Sequence, residues 1–270
     1  STVTENFKNI FDLYSAEVDR LCGVTKARAI ELSARPSKGT ISQGSIENLF
    51  ESLSCDGWKV TTGTNWAWRT DEGKPAAKKA SKEVLLERAV AGQDLQKWTY
   101  QMSTSSGVQI IRGKTRRVNL FSRKSIDLVR FIKPRHYAFV ELKVGSNNPL
   151  YAAFEVLGYA LAYLHARSNR RAGTGKHVGH DVFDAESIEL TILGPRNWYV
   201  FGKELECNLD WLADVIATSL SGFVKSTLKD SLIFTMKFRQ FAADDQISVD
   251  AIEQLAKEVH RLAEVEWWRC

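Results

Sequence analysis

Residues Ser125 to Val144, SIDLVRFIKPRHYAFVELKV, restrict the fold more than any other stretch of the chain. Two runs rich in β-branched and aromatic residues flank Lys133-Pro134-Arg135, which predicts a β-hairpin turning at Pro134. Successive side chains of a strand point to opposite faces. Asp127, Val129 and Phe131 therefore share one face of the first strand, and Tyr137, Phe139, Glu141 and Lys143 share one face of the second. A turn centred on Pro134 sets Phe131 against Tyr137, Val129 against Phe139 and Asp127 against Glu141. Directly opposed residues have Cβ atoms about 4.5–5.5 Å apart, so the two carboxylates converge on one point, with Lys143 two residues further along the same face.

Like charges opposed across a ladder repel, and these stand among apolar residues. A hard divalent cation, Mg²⁺ or Mn²⁺, removes the conflict, because carboxylate oxygens are its preferred protein ligands. Its bound water supplies a nucleophile. The ion and Lys143 together offset charge that builds on a phosphoryl group. The competing interpretation is an exposed strand face on which Glu141 and Lys143 merely pair. Tyr137, Phe139, Val140, Leu142 and Val144 oppose it, since they suggest a strand covered on both sides.

The residues Ile126-Asp127 and, on the next strand, Glu141-Leu142-Lys143 resemble the PD-(D/E)xK nuclease superfamily, the restriction-endonuclease-like fold. Ser125-Ile126 stands where the motif's name has Pro. The resemblance covers about residues 81–202. It implies that Asp127 and Glu141 bind Mg²⁺ or Mn²⁺ and that Lys143 is the catalytic lysine. It also implies an acid on the helix before the first core strand, where Glu83 and Glu87 are available, and a Glu or Gln on the helix after the ExK strand, where Glu155 stands. Glu87 is preferred to Glu83, because a first-turn acid is already explained by the helix dipole. The expected activity is endonucleolytic cleavage of nucleic acid, DNA by preference. A nuclease fold that only binds nucleic acid or another protein is the alternative.

Around this hairpin the chain predicts a mixed α/β domain, a central sheet flanked by helices with helical additions at both ends. Residues 1–80 read as a mostly helical region, with helices over 5–32 and 45–53 and a Lys-rich linker before Ser81. Residues 81–204 form the nuclease-like core. They include a helix capped by Ser81 and stopped at Gly92, the strand candidates KWTYQMST, VQII, VNLF, SIELTIL and NWYVFG, and a long apolar helix from Pro149 to Arg167. Residues 205–270 read as mostly helical. The helical ends offer surfaces for a second copy or a partner protein.

The formal charge of +5 permits an anionic partner without demanding one. The two densest basic runs are Arg112–Arg117 and the stretch holding Arg167, Arg170, Arg171 and Lys176. Arg116, Arg117, Arg170 and Arg171 are the candidate phosphate contacts, against the commoner role of solvated loops. His177 and His180 read as surface residues, and the eight Trp residues as core and interface rather than base-stacking platforms, although Trp66 and Trp68 near the linker could be exposed. Cys22, Cys55, Cys207 and Cys270 form no CxxC pair, which indicates reduced thiols in a cytoplasmic protein, and no apolar run is long enough for a membrane span.

Overall fold

The computed structural model describes residues 43–54, 66–69, 80–104, 125–144, 149–168, 179–201, 205–206, 209–242 and 248–264. The chain order is α1 (Gln43–Ser54), α2 (Lys82–Gln93), β1 (Trp98–Ser103), β2 (Ser125–Lys133), β3 (His136–Leu142), α3 (Pro149–Ser168), β4 (Ser187–Pro195), β5 (Val200–Phe201), β6 (Leu205–Glu206), α4 (Asp210–Phe223), β7 (Ile233–Phe241) and α5 (Ile252–Glu264). Strands β1-β2-β3-β4-β7 form one five-stranded sheet, and β5 and β6 pair separately. The sheet is mixed: β1, β2 and β3 run antiparallel in sequence, whereas β3 pairs parallel with β4 and β4 with β7. Parallel neighbours need a long crossover, and α3 and α4 provide the two required here. Among the described residues no helix is long and apolar enough to cross a membrane.

Two hydrophobic clusters lie on the two faces of the sheet. The first joins α1, α3 and α4 to Val129, Phe139, Ile188, Leu190, Ile192, Phe234 and Phe238. The second joins α2 and α5 to Leu128, Ala138, Val140, Leu142 and Leu193. α3 is buried along nearly its whole described length because α1 covers the side turned away from the sheet. This explains why its sequence is apolar all round rather than amphipathic.

The hairpin forms as expected, with an instructive irregularity. Pro134 and Arg135 form the turn, Lys133 pairs with His136, and Arg135 takes a φ of 65°. The turn thus centres between Pro134 and Arg135 rather than on Pro134. A register shift between Phe131 and Lys133 then restores the pairs Phe131–Tyr137 and Val129–Phe139. The Ser81 hydroxyl accepts from the Val84 N–H at 3.3 Å and caps α2. That helix runs one residue past Gly92 to Gln93. α1 starts at Gln43, two residues before the expected start at 45.

Other expectations are corrected. The C-terminal region, expected to be mostly helical, also holds β7, which adds an edge strand to the sheet. Its apolar residues alternate with exposed ones, as half-covered edge strands require. Asn197–Tyr199 belong to a 3₁₀ turn, and among the described residues of that run Val200–Phe201 are strand. Trp66 and Trp68 are buried, Trp66 against Phe139 and Tyr163. His180 stacks on the Phe131 ring with centroids 3.8 Å apart and meets Trp68 edge-on. Arg167 is an internal strut. It pairs through two nitrogens with Asp230, at 2.8 and 3.2 Å, and donates to the Phe183 and Ala185 carbonyls. The predicted helix over 5–32, the linker, the runs VQII and VNLF, and Arg116, Arg117, Arg170 and Arg171 lie outside the described residues.

Candidate active site

β2 and β3 bring Asp127, Glu141 and Lys143 to one end of the sheet, where α2 adds Glu87 from one layer and α3 adds Glu155 from the other. The paired ladder of β2 and β3 stops at Leu128–Val140, one step short of Asp127 and Glu141. In the next position the Asp127 carboxylate, through Oδ2, accepts the Leu142 N–H at 2.8 Å. Asp127 therefore does not stand on a sheet face beside Glu141, as strict alternation predicts. It reaches along the sheet and takes the place of a backbone acceptor.

The neighbouring strand shows why. Gln101 of β1 stands opposite Asp127, and these are the two residues skipped in an otherwise regular register. Gln101 has a φ of 46°, a left-handed conformation costing a non-glycine residue about 1–2 kcal/mol. Tyr100 packs into the second cluster and Met102 into the first; likewise Leu128 packs into the second and Ile126 into the first. Residues two apart should share a face, so both strands roll over at the Gln101–Asp127 pair.

Glu141, Lys143 and Glu155 are each less than a tenth exposed. The Lys143 ammonium donates to Glu141 Oε1 and lies 2.8 Å from Glu155 Oε2. Burial alone would lower the Lys143 pKa, but Glu141 and Glu155 outweigh it and hold the lysine charged. Tyr159, one turn beyond Glu155 on α3, also hydrogen-bonds to Glu141. Glu87 is buried on α2 and accepts from the Gln101 side chain. Glu83, one turn earlier, has a separate role: its Oε1 accepts the Val144 N–H at 3.1 Å and caps the end of β3.

Four carboxyls against one lysine leave a surplus of negative charge. Burial, then the neighbouring acids, drives Asp127 and Glu141 well above their ordinary range. The same causes push Glu87 up to about 8. Two oxygens, Glu87 Oε2 and Glu141 Oε2, are buried without a hydrogen-bond partner. Oxygen-only donors, negative surplus and bare buried oxygens fit a hard divalent cation. As the side chains stand, no group of three or more acids, histidines or cysteines among the described residues is gathered as ligands. Lys143 instead holds Glu141 and Glu155 together.

Every candidate inside the described residues thus converges on this end of the sheet: Asp127, Glu141, Lys143, Glu87 and Glu155. Gln101 and Tyr159 escaped the sequence reading as members of the site. Tyr159 had a visible signal in its four-residue spacing from Glu155. Gln101 had only its polarity within an apolar strand, which by itself points to no site. Compared with known protein families, curated proteins and solved structures, the chain matches none.

Proposed function

We propose that the chain is a metal-dependent nuclease of the PD-(D/E)xK kind, hydrolysing phosphodiester bonds, with DNA the expected substrate. The observation that carries this reading is the buried group of Glu87, Asp127, Glu141 and Glu155 around Lys143, with Glu87 Oε2 and Glu141 Oε2 left bare. A fold retains so unfavourable a group of acids when something binds there, because unpaired buried carboxyls destabilise it.

Asp127 and Glu141 would hold Mg²⁺ or Mn²⁺, with Glu87 as a third carboxylate within reach of the same charge. The bound ion would supply Lewis acidity and an activated water. Asp127 is oriented by the Leu142 N–H, and Tyr159 keeps a proton on the Glu141 side of the site. Lys143, held charged, offers its ammonium to the non-bridging oxygens of a scissile phosphate and stabilises the charge that develops there. Glu155 fixes that ammonium from the opposite side.

The test is cleavage of plasmid DNA with Mg²⁺ or Mn²⁺ by the parent and by Lys143→Ala. The parent should cut only with metal, and the variant should retain DNA binding with cleavage lowered at least a hundredfold, on the order of what one transition-state contact contributes. A variant within a few-fold of the parent would remove Lys143 from the chemistry. DNA retention by the parent without any cleavage would favour a binding module.

A further inference from the structure

Gln101 combines two features that backbone preference does not explain. It holds a left-handed φ of 46°, where glycine or asparagine is the usual occupant. Its side chain, instead of pointing to solvent, bonds to the Glu87 carboxyl on the helix packed against that strand. It also stands directly across the ladder from Asp127, at the pair where both strands roll over. One residue thus touches the acid from α2 and stands across the ladder from the acid of β2.

We infer that Gln101 is a positioning residue: its amide holds one oxygen of Glu87 and leaves Oε2 turned bare toward the charge shared by Asp127 and Glu141. This rests on the nuclease reading and adds to it a role for a strand outside the D…ExK hairpin. A carboxylate can only accept, and a glutamine N–H₂ can donate to it. The acid from α2 then depends on this side chain for its placement beside those from β2 and β3.

Mn²⁺ titration calorimetry on the metal-free protein, with melting curves in EDTA, tests this with three variants. Gln101→Met keeps the size and the strained backbone but loses the donor. Gln101→Gly loses the donor and relieves the backbone. Both should bind Mn²⁺ roughly ten- to a hundredfold more weakly, the usual cost of losing a group that orients a ligand, while their melting temperatures move apart, Gly above Met. In the background of Glu87→Gln the further change Gln101→Met should alter affinity less than twofold, because the two act through one contact. Single variants within twofold of a parent that does bind Mn²⁺ would overturn the inference and leave the nuclease reading standing. Equal effects of Gln101→Met with and without Glu87→Gln would overturn it as well, by showing a general structural role. A parent that binds no Mn²⁺ would overturn both.

Discussion

Two groups of charged side chains sit within the same sheet, and they are built on opposite principles. On β4, Glu189 lies between Lys237 Nζ at 2.8 Å and Arg239 at 2.9 Å, both from β7. Thr191 adds a hydroxyl to the same carboxylate at 3.0 Å. Burial alone would raise the Glu189 carboxyl, but Arg239 and Lys237 outweigh it and hold it below its ordinary value. At the end of β2 and β3 the proportion is reversed, with four acids around one lysine, and Glu87, Asp127 and Glu141 are pushed up. The first group is complete within the chain. The second keeps buried acid oxygens without a partner, and under the proposed reading a cation from outside completes it, which is how a binding site differs from a structural ion pair.

The sharpest way to break this comparison is to remove one partner from each group. Arg239→Ala leaves Glu189 part-buried with a single exposed lysine and should destabilise by about 3 kcal/mol in chemical denaturation, the usual cost of breaking a buried pair. Asp127→Asn in EDTA should leave the protein as stable as the parent or more stable, since it removes a repelled charge and keeps an acceptor for the Leu142 N–H. A loss from Asp127→Asn as large as that from Arg239→Ala would show two structural groups of the same kind.

Metal sharpens the same contrast. A cation that binds only the folded state at a hundredfold excess over Kd adds about 2.7 kcal/mol. Mn²⁺ should therefore raise the melting temperature of the parent and of Arg239→Ala alike, but barely that of Asp127→Asn. An equal rise in the parent and in Asp127→Asn would mean that this carboxylate takes no part in binding the ion.

The two groups also tilt stability with pH in opposite directions. Folded Glu87 keeps its proton up to about 8, whereas the unfolded chain releases it near 4.5. The folded state thus binds more protons between those values, and the contribution of Glu87 falls as pH rises through that window, by at most about 1.4 kcal/mol per pH unit. Glu189 has a lowered value, so its contribution is full at neutral pH and is lost as pH falls through the acid range. Denaturation of the metal-free protein at several pH values should show the loss between about 5 and 8, and Glu87→Gln should flatten it. An unchanged slope in that variant would place the proton uptake elsewhere.

The smallest effect expected is that of Glu83→Gln. Glu83 caps the Val144 N–H, and an amide oxygen can still accept that bond, so the change should cost at most about 1 kcal/mol. Cleavage should fall less than with Glu87→Gln. The reverse order would exchange the roles of the two acids.

How far the sequence reached depends on the distance over which each feature is specified. The hairpin, its Phe131–Tyr137 and Val129–Phe139 pairs, the Ser81 cap and the long helix from Pro149 could be read from neighbouring residues, because turns, caps and periodicities are local. The hairpin alone brought Asp127, Glu141 and Lys143 to one end of the sheet, though not the direction in which Asp127 points. What the chain could not reveal by itself was settled by residues far apart. Arg167 looked like part of a basic surface until Asp230 met it. Trp66 and Trp68, beside the linker, were left open between core and surface until Phe139, Tyr137 and Tyr163 enclosed them. β7 was hidden among helices, since its alternation has meaning only when β4 covers one edge.

The same division runs through the site. Composition and strand period determined which acids share the end of the hairpin. Only the packing of α2 and α3 on opposite faces decided that Glu87 and Glu155 join them. Only the left-handed turn of Gln101 against Asp127 decided where the aspartate points, because a strand's facing direction is local until a neighbouring strand forces both to roll.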